Sequence, residues 1–331
     1  MNYETIKLDK SMYKSAGGFC KQLELLDPAE QYHGSELAGL DAFQRQLKRF
    51  DIKVNGAGSH NIAKFFAPSD SAALFPEYVS RAVLQGVQEE SVLSELIASK
   101  TDISSLDYRS ITTGLSSADF SANIAEGGAI PETSITLSET LVPLKKKGRL
   151  LKASYEAIKF QRIDVFSIAL KQIGLHISKA QLADAVAALI GTGAGAAQKL
   201  KIAGSAVSYA DLLKLWNLFA DFEMNVLLAS PDMALDILSI NELKDPATGL
   251  NFQTTGGLAT PMGAKLIKSP AVPTGTVIAL DKRFALEMVT AGGISVEHDK
   301  LIDTQLECAA ITSIYGFSKI FPDAVKVLSR T

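Results

Sequence analysis

At 331 residues, 47% of them hydrophobic and 21% charged, the chain is long enough for a sizeable core and about two domains, and too apolar to be disordered or fibrous. A net charge of −3 argues against a surface built to clasp nucleic acid, since neutralising phosphates needs clustered Lys and Arg. The cysteines, Cys20 and Cys308, stand near opposite ends without a CxxC neighbour, so neither a disulfide framework nor a zinc knuckle is indicated, and a reducing compartment fits.

The opening MNYETIKLDK carries charge from its fourth residue and has no apolar h-region, so no secretory signal is expected. Residues 1 to 70 read as a loosely built arm with one amphipathic helix between Ser35 and Phe50. In it Leu37, Leu40, Phe43, Leu47 and Phe50 recur at helical spacing, and Asn55-Gly56-Ala57-Gly58 marks the turn that follows. The stretch FPEYVSRAVLQGVQEESVLSELI predicts two short helices broken near Gly86, with Ser91 as a cap for the second. From Ile103 to Ile158 the period becomes two. Ile135, Leu137 and Leu141 alternate with polar residues, Leu150 to Ala153 reads as the returning strand, and Gly127-Gly128 and Pro131 mark a loop before them. A two-stranded arm is marginal alone and needs a surface to lie on.

The longest uninterrupted element runs from Asp164 as N-cap to Ile190, with Gly191 as its stop and no proline until Pro231. At about 1.5 Å per residue it is roughly 40 Å long. Phe166, Leu170, Ile173, Ile177, Ala180, Ala183, Ala187 and Ile190 form one apolar stripe, while Val165, Ile168, Leu175, Leu182, Val186 and Leu189 form a second, so neighbours are expected on more than one side. The longest apolar run without charge, Ala185 to Gln198, is glycine-rich and short for a bilayer, which points to a soluble, cytoplasmic-type chain.

GTGAGAAQKLKIAG then reads as a flexible link. Ser208 and Asp211 form a capping box for a helix that turns Tyr209, Leu212, Leu213, Trp216 and Phe219 inward. A strand is expected from Asn225 to Ala229, and a helix from Ser230-Pro231 to Leu238. A polar loop follows from Pro246 to Gly263, then strands over Ala264 to Lys268 and Thr276 to Asp281. Further strands lie between Ile294 and Leu328, around Gly316 and Pro322. Without a repeating βαβ unit the class is α+β.

Catalytic readings fare poorly. Gly191, Gly193 and Gly195 follow a helix, whereas a dinucleotide loop needs a strand before it. No Walker lysine motif, HExxH or GxSxG occurs, and His33, His60, His176 and His298 are isolated in sequence. A Cys308 nucleophile would need a His and an acid brought to it by the fold. The sharpest charge feature is Lys145-Lys146-Lys147-Gly148-Arg149, a solvated strand end or a contact to an acidic neighbouring chain. It has too few interleaved aromatics to stack bases.

Together, ALFPEYVSRAVLQGVQEESVLSEL, AEGGAIPE, LKKKGRLLKASYEAI, the long helix, ASPDMALDIL, GTVIALDKRFALEMV and YGFSKIFPDAVKVL resemble the major capsid protein of a tailed bacteriophage, the Hong Kong 97 fold. The resemblance covers roughly residues 70 to 331, with EGGAIPE to ASYEAI its most specific part. It implies an N-terminal arm over 1-70, a segment from arm to peripheral domain over 71-117 and an extended E-loop hairpin over 118-153. It further implies a peripheral domain with its spine helix over 154-200, an axial domain over 201-290 and return strands of the peripheral domain over 291-331.

Family members assemble as pentamers and hexamers into an icosahedral shell. The resemblance therefore implies a structural protein of the virion that encloses double-stranded DNA without reading its sequence and passes through the host cytoplasm during assembly. Its implied partners are further copies of itself, portal and scaffold proteins and a decoration protein; no cofactor, metal or membrane is implied. The candidate inter-subunit contacts are Lys145, Lys146, Lys147, Arg149, Glu126 and Glu139. Some members lock the shell by an isopeptide bond between an E-loop lysine and a C-terminal asparagine. Here Glu139 stands at the position matching that lysine, and no asparagine follows Asn251, so no such bond is expected. An encapsulin-type bacterial compartment of the same fold is the alternative, and an α+β enzyme a more distant one.

Overall fold

The computed structural model describes residues 3–14, 18–56, 58–68, 70–89, 92–105, 107–113, 123–124, 126, 135–244, 262–301 and 303–330. Its helices are α1 (Gly18–Leu26), α2 (Ala42–Arg49), α3 (Phe75–Glu89), α4 (Tyr155–Phe160), α5 (Ile163–Ile190), α6 (Tyr209–Asn217), α7 (Pro231–Ser239) and α8 (Asn241–Lys244). The strands are β1 (Ile97–Asp102), β2 (Ile111–Thr113), β3 (Ile135–Leu137), β4 (Lys145–Ser154), β5 (Gln198–Lys201), β6 (Val226–Ala229), β7 (Lys265–Lys268), β8 (Thr276–Leu280), β9 (Leu286–Leu301), β10 (Leu306–Lys319) and β11 (Val325–Ser329). They form a four-stranded sheet ordered β1-β9-β10-β4, a five-stranded sheet ordered β5-β11-β8-β6-β7, and a ribbon of β2 and β3. Helices and a mixed sheet side by side make the class α+β, as the patterning predicts.

The chain divides into two compact units: residues 1–90, 147–177 and 294–313, and residues 91–146, 178–293 and 314–331. In the first, the N-terminal segment is not the loose arm its composition suggests. Leu8, Phe19, Leu23, Phe43, Leu47 and Ile52 share one buried cluster with Val79, Val83, Ile163 and Leu170. The expected helix from Ser35 begins only at Ala42, because the Asp41 carboxylate accepts from the Gln44 amide while the Gln44 side chain accepts from the Asp41 amide. Leu37 and Leu40 precede it in turns, beside Gly39 in the left-handed region at φ +83°.

The break expected near Gly86 does not occur, since α3 runs through it to Glu89. A Cβ on Gly86 would sit 2.1 Å from the Lys171 carbonyl oxygen, and one on Gly174 would sit 2.1 Å from that of Val83. These glycines are the crossing point of α3 and α5, where backbone meets backbone. Ser91, proposed as a cap, lies outside the described residues, as do Gly127, Gly128, Pro131 and most of the 246–263 loop.

α5 starts one residue before the expected cap, so Asp164 lies in its first turn, and Gly191 ends it at φ +66°. Leu170 is buried in the first unit, with Phe166, Ile173 and Ile177 against the same cluster. Leu182, Ala185, Val186 and Leu189 are buried in the second. Thus the first stripe serves the N-terminal half and the second stripe the C-terminal half. By length and composition α5 is apolar enough to cross a membrane, where the sequence showed only a short uncharged run, and its buried residues belong to the two clusters just named.

In the second unit, the glycine-rich segment is no loose link: a 3-10 turn at Gly193–Gly195 leads into β5, which pairs in parallel with β11. The Ser208–Asp211 capping box forms as expected, yet α6 buries Leu212 and Leu215 and leaves Leu213 and Trp216 exposed. β11, counted by resemblance with the peripheral return strands, pairs with β8 in the sheet that carries β6 and β7. Gly316 lies within β10 rather than between strands.

Asp281, fully buried at the end of β8, accepts from Glu223 N at 3.0 Å, Asn225 Nδ2 at 2.8 Å and the Arg283 guanidinium at 2.8 and 3.0 Å. Burial works against its charge, but the Arg283 and Glu223 donors outweigh it and hold the carboxyl down to about 2. A depressed carboxyl stabilises the fold above its unfolded value of about 3.9, and that contribution is lost as pH falls toward 2. The contribution at neutral pH is roughly 2 kcal/mol. Asp281→Asn is therefore expected to melt lower than wild type at pH 6 and to converge on it by pH 2. Parallel melting curves from pH 6 to 2 would contradict this.

Candidate assembly surfaces

β2 and β3 pair antiparallel, Ile111 opposite Leu137, in a sheet of two strands. The returning strand β4 does not complete a hairpin with β3, contrary to expectation, because it joins the four-stranded sheet beside β10. Ile111 is 48% and Leu137 65% exposed, with Leu141 and Ile124 also exposed. An apolar two-stranded ribbon of this kind gains stability only when another surface covers it.

The root of the ribbon is firmly held. Glu287, buried at the start of β9, accepts hydrogen bonds from Thr101 Oγ1 at 2.7 Å, Tyr108 OH at 2.6 Å and Ser110 Oγ at 2.8 Å. Burial, and then the carboxylate it bonds, raise the Tyr108 hydroxyl. The same segment clasps the returning chain, with Ser138 N donating to Ser110 O at 2.7 Å and Val142 N to Tyr108 O at 2.9 Å. At Gly316 a Cβ would lie 2.8 Å from the Pro143 carbonyl oxygen, so only glycine admits the chain across β10.

Of the expected contact residues, Lys145, Lys146 and Arg149 are exposed along β4 and Lys147 is half-buried beside them, while Glu126 and Glu139 are exposed before the strand. Lys145 Nζ lies 3.8 Å from Asp184, which accepts from Tyr315 OH at 2.7 Å. Burial and that carboxylate push the Tyr315 hydroxyl up. These groups line a cleft of about 460 Å³ with Ser138, Gly191 and Lys319. In the first unit, Phe160, Val165 and Ile168 form a second exposed apolar face where α4 meets α5.

The titratable residues weighed for catalysis are dispersed. His60 Nδ1 accepts from Lys53 N at 3.1 Å, His176 is exposed, and Cys308 is buried. Burial and the Glu77 carboxylate it bonds push the Cys20 thiol up to about 12. Among the described residues no three His, Cys, Asp or Glu side chains converge as metal ligands.

A family model described as phage capsid protein matches residues 138–307, just over half of the chain. This chain belongs to the phage capsid protein family. No curated protein sequence matches it. Among solved structures the capsid protein is similar to that of the cyanophage P-SCSP1u, at 14% identity and a TM-score of 0.56, covering 72% of this chain and 88% of that one. It is similar to a virus-like particle protein from Pyrococcus furiosus at 15% identity and a TM-score of 0.52, covering 76% and 98%. The encapsulin SrpI of Synechococcus elongatus follows at 15% identity and 0.51, covering 72% and 86%. At such identities the likeness is one of fold, and the fold is the Hong Kong 97 type. The capsid protein is a structural component of a self-associating shell, not an enzyme.

Sequence reasoning missed the parts of this capsid protein that fix its surfaces in place. Glu287 sits in a strand with no motif around it, and its three hydroxyl partners are scattered from Thr101 to Ser110. Val165 and Ile168 were legible as a second stripe on the long helix; their exposure was not, because the stripe changes from exposed to buried along α5.

Proposed function

We propose that this capsid protein assembles as pentamers and hexamers into an icosahedral phage shell around double-stranded DNA, with the β2–β3 ribbon lying as an arm on a neighbouring copy. The observation that carries this is the ribbon itself, two strands with an exposed apolar pair at Ile111 and Leu137 on a firmly bonded root. On this reading the arm is built on the ribbon of β2 and β3, the axial domain of 201–290 gains β5 and β11, and the peripheral domain keeps α5. Lys146 and Arg149 face acidic groups of the adjoining copy, with Glu126 and Glu139 as complementary charges. Portal, scaffold and decoration proteins complete assembly in the host cytoplasm.

Leu137→Asp with Leu141→Asp puts two carboxylates on surface already exposed in the subunit, so the melting temperature should move little while shells disappear from micrographs. Normal shells from this variant would remove the ribbon from the interface. A covalent lock is not expected, since Glu139 replaces the required lysine and no asparagine follows Asn251. Particles boiled in denaturant and reductant should run as a single subunit band, and a ladder of pentamers and hexamers would overturn that expectation.

The likeness to an encapsulin favours a second reading, a protein compartment of the same fold. Particles from the native host distinguish the two: nuclease-protected DNA supports the phage head, and an enclosed enzyme supports the compartment.

A further inference from the structure

Glu287, itself in β9, accepts from Thr101 of β1 and from Tyr108 and Ser110 of the segment entering the ribbon. Its carboxylate is buried, yet none of the three side-chain donors is a cation; Thr101, Tyr108 and Ser110 hydroxyls take the place of water. Tyr108 and Ser110 also offer their carbonyls to Val142 and Ser138. Thus the carboxylate holds the outgoing chain by its side chains while the outgoing chain holds the returning one by its backbone. β2 begins one residue after Ser110, so the chain passes directly from this carboxylate into the ribbon.

We propose that Glu287 is a positioning latch, which fixes the angle of the ribbon and thereby the angle between neighbouring copies and the diameter of the shell. The proposal rests on the ribbon being the assembly arm. Three hydroxyls converging on one buried side chain suit the task, because a fully bonded buried network holds its members in one arrangement. Removing donors loosens the root without touching the exposed apolar face that meets the neighbour.

Tyr108→Phe with Ser110→Ala leaves one of the three donors, and Tyr108→Phe alone leaves two and keeps the ring in place. Both are compared with wild type and with the Leu137→Asp, Leu141→Asp variant by electron microscopy of particles and by amide exchange of the unassembled subunit. The latch variants are expected to retain the melting transition, to exchange about tenfold faster over 111–113 and 135–137, and to form shells of mixed diameter. If the double variant fails to fold, the single variant is read by the same two measurements. Shells of uniform wild-type diameter, with unchanged exchange, from a latch variant would overturn the latch. If that happens while the leucine variant is shell-less, the latch alone fails; normal shells from the leucine variant overturn the arm and the latch with it.

Discussion

Gly174→Ala is expected to destabilise the subunit by about 3 kcal/mol, although alanine is the better helix former. Propensity alone would favour alanine by about 1 kcal/mol in a helix interior. The crossing decides the sign, because the added methyl would lie 2.1 Å from the Val83 carbonyl oxygen and 2.9 Å from the Val87 amide nitrogen. Both neighbours are helix backbone, so α3 and α5 must move apart, and the contacts of Val79, Val83 and Leu170 loosen with them. Gly86→Ala meets the Lys171 carbonyl in the same way and should behave alike. Gly58→Ala, with nothing within 4 Å of the added methyl, is the matched control and should be near neutral. Denaturant midpoints for the three variants measure this directly. A Gly174→Ala protein as stable as wild type would mean that the helices do not touch there.

Arg45→Met is the other substitution with a large expected cost. Arg45 is fully buried, donates to Asp27 Oδ2 at 2.6 Å and to the Leu40 and Asp27 carbonyls, and lies 4.4 Å from the Tyr32 ring centroid. Tyr32 OH bonds the other Asp27 oxygen. Methionine matches the volume but leaves the Asp27 carboxylate buried without its cation, at roughly 3–5 kcal/mol. Arg45→Met with Asp27→Leu removes both charges and should recover part of the loss, since a buried pair replaced by apolar groups is often neutral. A double variant weaker than the single would contradict this account of the charge. The network ties α1 and α2 into the cluster around Val79, Val83 and Leu170, so deleting residues 1–54 should yield insoluble protein rather than a trimmed shell subunit.

Much of the fold was legible wherever a local pattern decides the structure. The helix α5 has two stripes and a glycine stop, the Ser208–Asp211 box is a short-range hydrogen-bond exchange, and Val226 to Ala229 is a continuous buried run. The errors came where distant residues decide. Gly86 looks like a breaker until Lys171 is placed against it, and Leu213 and Trp216 fit an inward stripe until Leu212 and Leu215 take the core side. The alternation of Ile135 and Leu137 predicted a strand correctly but not its partner, since hydrophobic period says nothing about which strand lies alongside. Of the candidate contact residues, the basic run was visible as charge, while Arg45 and Glu287 carry no local sign of burial.

The position of β11 between β5 and β8 has a consequence for synthesis. All five of its residues are buried, and it is the strand that joins β5 to the rest of its sheet. A nascent chain still short of Val325 on the ribosome therefore presents β8 with an open side and β5 with no partner, however long its earlier segments have had to fold. Neither premature termination nor stalling before that point leaves a finished sheet, so its closure waits on the emergence of β11 however early the other strands have formed.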